Sequence, residues 1–183
     1  MNDTSAEKKK KRQLSFLEWC EALVMGWVIV AVIFSFLFRV ILVSGSSMVP
    51  TLTNGDRLLV QSINYKPQRG DIVIVDGYID YGKPLVKRVI AMEGDTVDIN
   101  FATGDVSVNG EVLNEPYIAE RTNRAGDIEF PITLEENQIF VMGDNRNYSE
   151  DSRNSDIGCL DRRDILGKAI FRLSPFDKMG RIQ

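Results

Sequence analysis

The chain contains no histidine in its 183 residues. That absence excludes a Ser-His-Asp triad, a Cys-His dyad and an H-E-x-x-H zinc site. Any hydrolytic chemistry must take its base from another residue type. Cysteine is nearly absent as well, since Cys20 and Cys159 are the whole complement. Two are too few for a disulfide scaffold or a four-cysteine zinc site. They read as unpaired thiols, one beside an apolar run and one far along a polar stretch. Positive charge is also scarce. With 22 Lys and Arg against 26 Asp and Glu, the net charge of −4 does not fit a nucleic-acid protein with a basic surface. No cofactor and no metal is expected. The length allows one ordinary domain and a short appendage.

The charge is unevenly placed. Residues 1–21 begin MNDTSAEKKKKR, a polar and basic segment that reads as a solvated tail. Ala22 to Phe38 then run seventeen residues without a charge. Arg39 interrupts, and Val40 to Val43 resume the apolar run. Spanning a bilayer takes about 20 residues, so residues 22–43 fit a transmembrane anchor if Arg39 snorkels to the interface. A buried core helix would show polar positions at helical period, and a signal-peptide core is usually about 7–15 residues long. The Lys8–Arg12 cluster predicts a cytoplasmic N-terminus and an extracytoplasmic domain over residues 44–183.

Those remaining residues read as mainly β. RLLVQ (57–61), DIVIV (71–75), PLVKRVIAM (84–92), TVDI (96–99), QIFVM (138–142) and KAIFRL (168–173) are short runs rich in β-branched residues, separated by Gly-containing turns. DVSV-Asn109-Gly110-EVL signals a hairpin, because Asn-Gly suits the positive φ angles of a type I′ turn. The expectation is an antiparallel, partly closed β domain, with a small insert subdomain at about 96–136.

Three segments carry chemistry-bearing residues. Ser44-Gly45-Ser46-Ser47-Met48-Val49-Pro50-Thr51-Leu52 follows the apolar run, and by composition it is a turn or linker. Lys87-Arg88 sits inside an apolar strand, where alternation sends the two side chains to opposite faces and one of them inward. A lysine buried without a partner loses basicity. To act as a neutral base near neutral pH it must drop by roughly 2–3 units from about 10.4. Such an amine could take a proton from a serine hydroxyl and return it to a leaving amine. Gly143 to Arg153, GDNRNYSEDSR, is a polar loop dense in groups able to fix an amine.

G-x-S-M-x-P-T (Gly45 to Thr51), K-R in an apolar strand (Lys87-Arg88) and G-D-N-R-x-x-S-x-D-S-R (Gly143 to Arg153) occur in the order seen in type I signal peptidases. R-G-D-I-V (Arg69 to Val73) and V-N-G-x-x-L-x-E-P-Y (Val108 to Tyr117) also resemble that family. The single anchor and the short insert look like its compact Gram-positive type. The eukaryotic relatives use histidine where this chain has Lys87.

The resemblance implies the fold shared by signal peptidases and self-cleaving repressors, behind one transmembrane helix. It implies Ser47 as nucleophile, Lys87 as general base and then acid, and Ser149 as the hydroxyl that orients the lysine. Asp144 with Arg88, and Asp151 with Arg153, would be ion pairs beneath the site. The Ser47 backbone N–H would face the oxyanion; the side-chain donor of some relatives is replaced here by Gly45. Ile41, Val43, Met48, Leu52 and Val86 would wall the pockets for small residues at −1 and −3 of the substrate. The implied partners are signal-peptide-bearing preproteins and the lipid bilayer, with no nucleic acid, and a monomer is expected. The alternative is a catalytically silent, membrane-tethered β domain that binds exported proteins, against which the presence of both Ser47 and Lys87 weighs.

Overall fold

The computed structural model describes residues 3–63, 65–78 and 81–182. They divide into two units, Met1–Phe38 and Arg39–Gln183. The first unit is one helix, α1 (Asp3–Leu37). It takes in the segment that composition reads as a tail; the side chains of Lys8 to Arg12 lie outside the described residues. Ser15–Val32 has a mean hydropathy of 1.6 with none of the window buried, so the helix is long and apolar enough to cross a membrane.

The apolar run does not stay helical to Val43. Phe38–Leu42 forms strand β1, and Val43 is 4% exposed in the core of the second unit. Val40, Ile41 and Val43 are β-branched, which crowds χ1 in a helix and suits a pleated strand. Hydropathy is blind to that change of period.

Eleven further strands follow: β2 (Arg57–Gln61), β3 (Ile72–Val75), β4 (Leu85–Met92), β5 (Thr96–Asn100), β6 (Asp105–Val108), β7 (Glu111–Val112), β8 (Ile132–Thr133), β9 (Gln138–Met142), β10 (Leu160–Asp161), β11 (Ile165–Ser174) and β12 (Gly180–Arg181). The larger sheet has the order β1-β2-β11-β3-β4-β9-β10, with β12 also on β11. The smaller has the order β7-β6-β5-β8. Every pairing with a defined register is antiparallel. The architecture is the mainly antiparallel, curled β domain expected. Strand β11 makes the curl possible: it pairs first with β3 and then with β2, through three register shifts. Bulges of this kind bend a strand and increase its twist. At the tip of the β6–β7 hairpin, Asn109 and Gly110 have φ of 57° and 82°, as a type I′ turn requires.

The core falls into three clusters. One joins β4 and β9 to the smaller sheet through Ile90, Val97, Val108 and Phe140. A second gathers Val43, Met48, Leu52, Leu58 and Ile74. The third holds Val73, Val89, Val141 and Leu160. Strand β4 therefore has apolar packing on both faces. Alternation still puts Lys87 and Arg88 on opposite sides, yet each is 2% exposed. The sequence expectation of one inward side chain is thus exceeded, because neither face of β4 meets solvent there.

Candidate active site

Ser47 lies where an exposed turn enters the core. Ser44 to Ser46 are exposed, whereas Met48 and Leu52 are 2% and 0% exposed. Leu52 N–H donates to Met48 O at 2.8 Å, closing the turn that follows the serine. The turn is held from both sides. Gly45, at φ 97°, donates its N–H to Asn54 Oδ1 at 3.0 Å. Asn145 donates its backbone N–H to Ser47 O at 2.9 Å and its side-chain amide to Ser46 O at 3.0 Å.

Lys87 projects from β4, paired with Val73 of β3, and its Nζ donates to Ser149 Oγ at 3.1 Å. Burial lowers its pKa from 10.5 to about 8. The Asp151 carboxylate opposes that shift, and the Arg153 guanidinium adds to it. A charged ammonium has lost its water here and, among the described residues, has gained no carboxylate within ion-pair distance in exchange.

The loop that supplies Ser149 is rigid for stated reasons. Gly143 N–H donates to Asp151 Oδ2 at 3.0 Å, and Arg146 Nε donates to Gly143 O at 3.1 Å. A Cβ on Gly143 would lie 2.3 Å from Ser149 Oγ and 2.4 Å from Ser47 O. Only glycine lets the Ser47 carbonyl and the Ser149 hydroxyl approach the same point. Asp151 accepts from Arg153 Nε at 2.8 Å and from its terminal NH2 at 2.9 Å. Burial raises the Asp151 pKa, but Arg153 and the Gly143 N–H outweigh it, and the carboxyl titrates below the ordinary range.

On the other face of β4, Arg88 donates through Nε and NH2 to the two Asp144 oxygens, each at 2.8 Å, and through NH1 to Gly70 O at 2.8 Å. Asp144 also accepts from Thr51 Oγ1 at 2.5 Å. The ion pair therefore ties β4 to the turn that bears Ser47. Tyr117 covers it, its ring centroid 4.0 Å from the Arg88 guanidinium carbon.

Ser47 and Lys87 line one cleft of about 600 Å³, with Tyr81, Arg124, Tyr148 and Glu150 farther along its walls. An apolar cavity of about 460 Å³ adjoins it and shares Ser47. Ile41, Val43, Met48 and Val86 line that cavity, joined by Leu85 and Leu166. Leu52 does not: it is 0% exposed and packs in the core behind the turn.

Three kinds of comparison set this chain beside known proteins. The model of the family described as signal peptidase, peptidase S26, matches residues 16–174. The chain belongs to the signal peptidase family. It is 38% identical to signal peptidase I of Bacillus licheniformis, over 94% of this chain and 96% of the relative. It is 37% identical to signal peptidase I S of Bacillus subtilis strain 168, over 98% of each. A crystal structure of a signal peptidase I from Enterococcus faecalis V583 gives a TM-score of 0.46 at 29% identity, covering 57% of this chain and 97% of that one. Membership of a signal peptidase family makes the chain a hydrolase, one with no histidine to use.

Several residues that build this site were not singled out from sequence. Thr51, Gly143 and Asn145 stood inside quoted motifs, but their partners lie 90 or more residues away in the chain or inside a loop packed on itself. Arg146 is 1% exposed and donates to Glu115 at 2.5 and 2.7 Å. Glu115 also accepts from Tyr117 OH at 2.9 Å. The E-P-Y of the insert thus clamps the Ser149 loop. The available signal was a carboxylate in one motif, Glu115, and an arginine in the other, Arg146.

Proposed function

We propose that the protein is a membrane-anchored endopeptidase that removes signal peptides from exported preproteins with a Ser47–Lys87 dyad. The observation that carries this reading is the buried Lys87 amine, held by Ser149 and sharing a cleft with Ser47 in a chain without histidine.

A substrate binds extended, adding its backbone to the domain as a further strand. Small side chains at −1 and −3 enter the apolar cavity of Ile41, Val43, Met48 and Val86. Lys87 Nζ, neutral above about pH 8, accepts the Ser47 proton as Oγ attacks the carbonyl carbon of the −1 residue. The Ser47 N–H donates to the oxyanion. Collapse of the tetrahedral intermediate breaks the C–N bond, and the Lys87 ammonium protonates the departing amine of the mature protein. Water then attacks the acyl-enzyme, gives its proton to Lys87, and releases the signal peptide as Ser47 regains its hydrogen. The α1 helix anchors the enzyme, with the Lys8–Arg12 end cytoplasmic and the β domain outside. It acts as a monomer.

The test is cleavage of a synthetic signal-peptide substrate by detergent-solubilised protein, with products mapped by mass. Ser47→Ala is expected to lower kcat/KM by at least about 10³-fold with the melting temperature unchanged within error, since only a half-buried hydroxyl is lost. Turnover by Ser47→Ala equal to wild type contradicts the assignment.

A further inference from the structure

The two halves of the substrate channel differ in chemistry. The cavity before Ser47 is apolar, whereas the cleft beyond Lys87 is lined by Tyr81, Lys83, Arg124, Tyr148 and Glu150. Under the function proposed above, the apolar side takes the −1 and −3 residues. The chain after the scissile bond, which becomes the new N-terminus, must then leave along the polar side.

Two cations stand on that exit path. Arg124 comes from the insert, and its backbone is fixed on both sides. Its N–H donates to Asn147 Oδ1 at 3.1 Å, and its carbonyl accepts from the buried Arg153 at 2.7 Å. Its side chain is exposed and donates to the Asn147 carbonyl at 3.4 Å. Lys83 is exposed on the opposite connection, between β3 and β4. Among the described residues neither cation has a carboxylate within the 4.0 Å of an ion pair. The acid of the same wall, Glu150, already accepts from Tyr81 OH at 2.6 Å. Among the described residues, the exit path thus offers two positive charges without an ion-pair partner beside one engaged carboxylate.

We infer that Lys83 and Arg124 select preproteins with an acidic residue within the first few positions after the cleavage site. The inference rests on the peptidase reading and adds a preference that the Ser47–Lys87 chemistry does not require. An exposed ion pair contributes modestly and is screened by salt, so the effect is a preference and not a requirement.

The experiment uses full-length protein in neutral detergent and peptides sharing one cleavage site. Each of the first few positions after the bond carries Glu, Gln or Lys in turn, and kcat/KM is compared. At one or more positions Glu is expected to exceed Gln by about three- to tenfold and Lys to fall below Gln. The ratio should shrink toward one in high salt and in the Lys83→Gln/Arg124→Gln double variant. Arg124→Glu should favour the Lys peptide. Because each ratio is taken within one variant, general damage to the enzyme cancels. Equal kcat/KM for all three peptides at every position, or a preference unchanged in the double variant, overturns the inference alone. Cleavage of none of the peptides overturns the peptidase reading beneath it.

Discussion

Replacing Lys87 by methionine is expected to make the protein more stable and inactive. The methionine keeps most of the volume and removes the amine. In the wild type the pKa of Lys87 falls from 10.5 to about 8 on folding, chiefly through burial. Below pH 8 both states are protonated, and the folded state carries the full burial cost, about 3 kcal/mol at 1.36 per unit. Between those two pKa values the unfolded chain binds the proton and the folded one does not. Wild-type stability therefore rises with pH across that window. Losing the hydrogen bond to Ser149 costs about 1 kcal/mol, leaving a net gain near 2 kcal/mol, or on the order of 5–8 °C in melting temperature. The gain should be largest below pH 8, should vanish at about pH 9.5 and should turn into a loss of about 1 kcal/mol above pH 10.5, with cleavage down by at least about 10³-fold throughout. Calorimetry of both proteins over this range checks it. A lower melting temperature for Lys87→Met at pH 7 would show that the buried amine stabilises the fold.

Asp144→Ala should be the most damaging single change to the fold around the site. Asp144 is 0% exposed and accepts three hydrogen bonds, two from Arg88 and one from Thr51. Its loss leaves the Arg88 guanidinium buried with Gly70 O as its remaining oxygen partner among the contacts described above. Breaking a buried ion pair by removing one member costs about 3–5 kcal/mol. The Ser47 turn is also released, because Thr51 loses its anchor. Both the melting temperature and kcat should fall, with KM changed less. The lost negative charge also favours a still lower Lys87 pKa, since Asp144 raises it in the wild type. Stability within about 1 kcal/mol of wild type would contradict this role.

Much of the fold, and the residues that meet in the candidate site, can be read from the sequence. The strands QIFVM and RLLVQ appear at the expected boundaries, because short β-branched runs between Gly turns have few other ways to bury themselves. Lys87 attracts notice because a charge inside an apolar strand needs explanation. Other features are hidden for physical reasons. The switch from helix to strand at Phe38 leaves hydropathy unchanged, so β1 is absorbed into the expected anchor. Met48 and Leu52 are equally apolar and four residues apart, yet one lines the cavity and the other lies behind it. Thr51 matters through a hydrogen bond of 2.5 Å to Asp144, and Gly143 because a Cβ there would lie within 2.5 Å of Ser47 O and Ser149 Oγ; only the closed sheet brings these atoms near, and no local pattern encodes such distances. Glu115 and Arg146 meet because the insert folds back over the Ser149 loop, a contact between segments 31 residues apart.

The most direct measurement of the central claim is the pH dependence of kcat/KM for a soluble signal-peptide substrate, from about pH 6 to 10. With no histidine in the chain and Cys159 pushed above its usual range by burial, Lys87 is the site group poised to titrate in the middle of that span. The account predicts a rise through a single apparent pKa close to 8, reaching a plateau above it. A profile that is flat across the range, or that begins to rise only near pH 10 with no plateau, would show that an amine titrating near 8 is not the base.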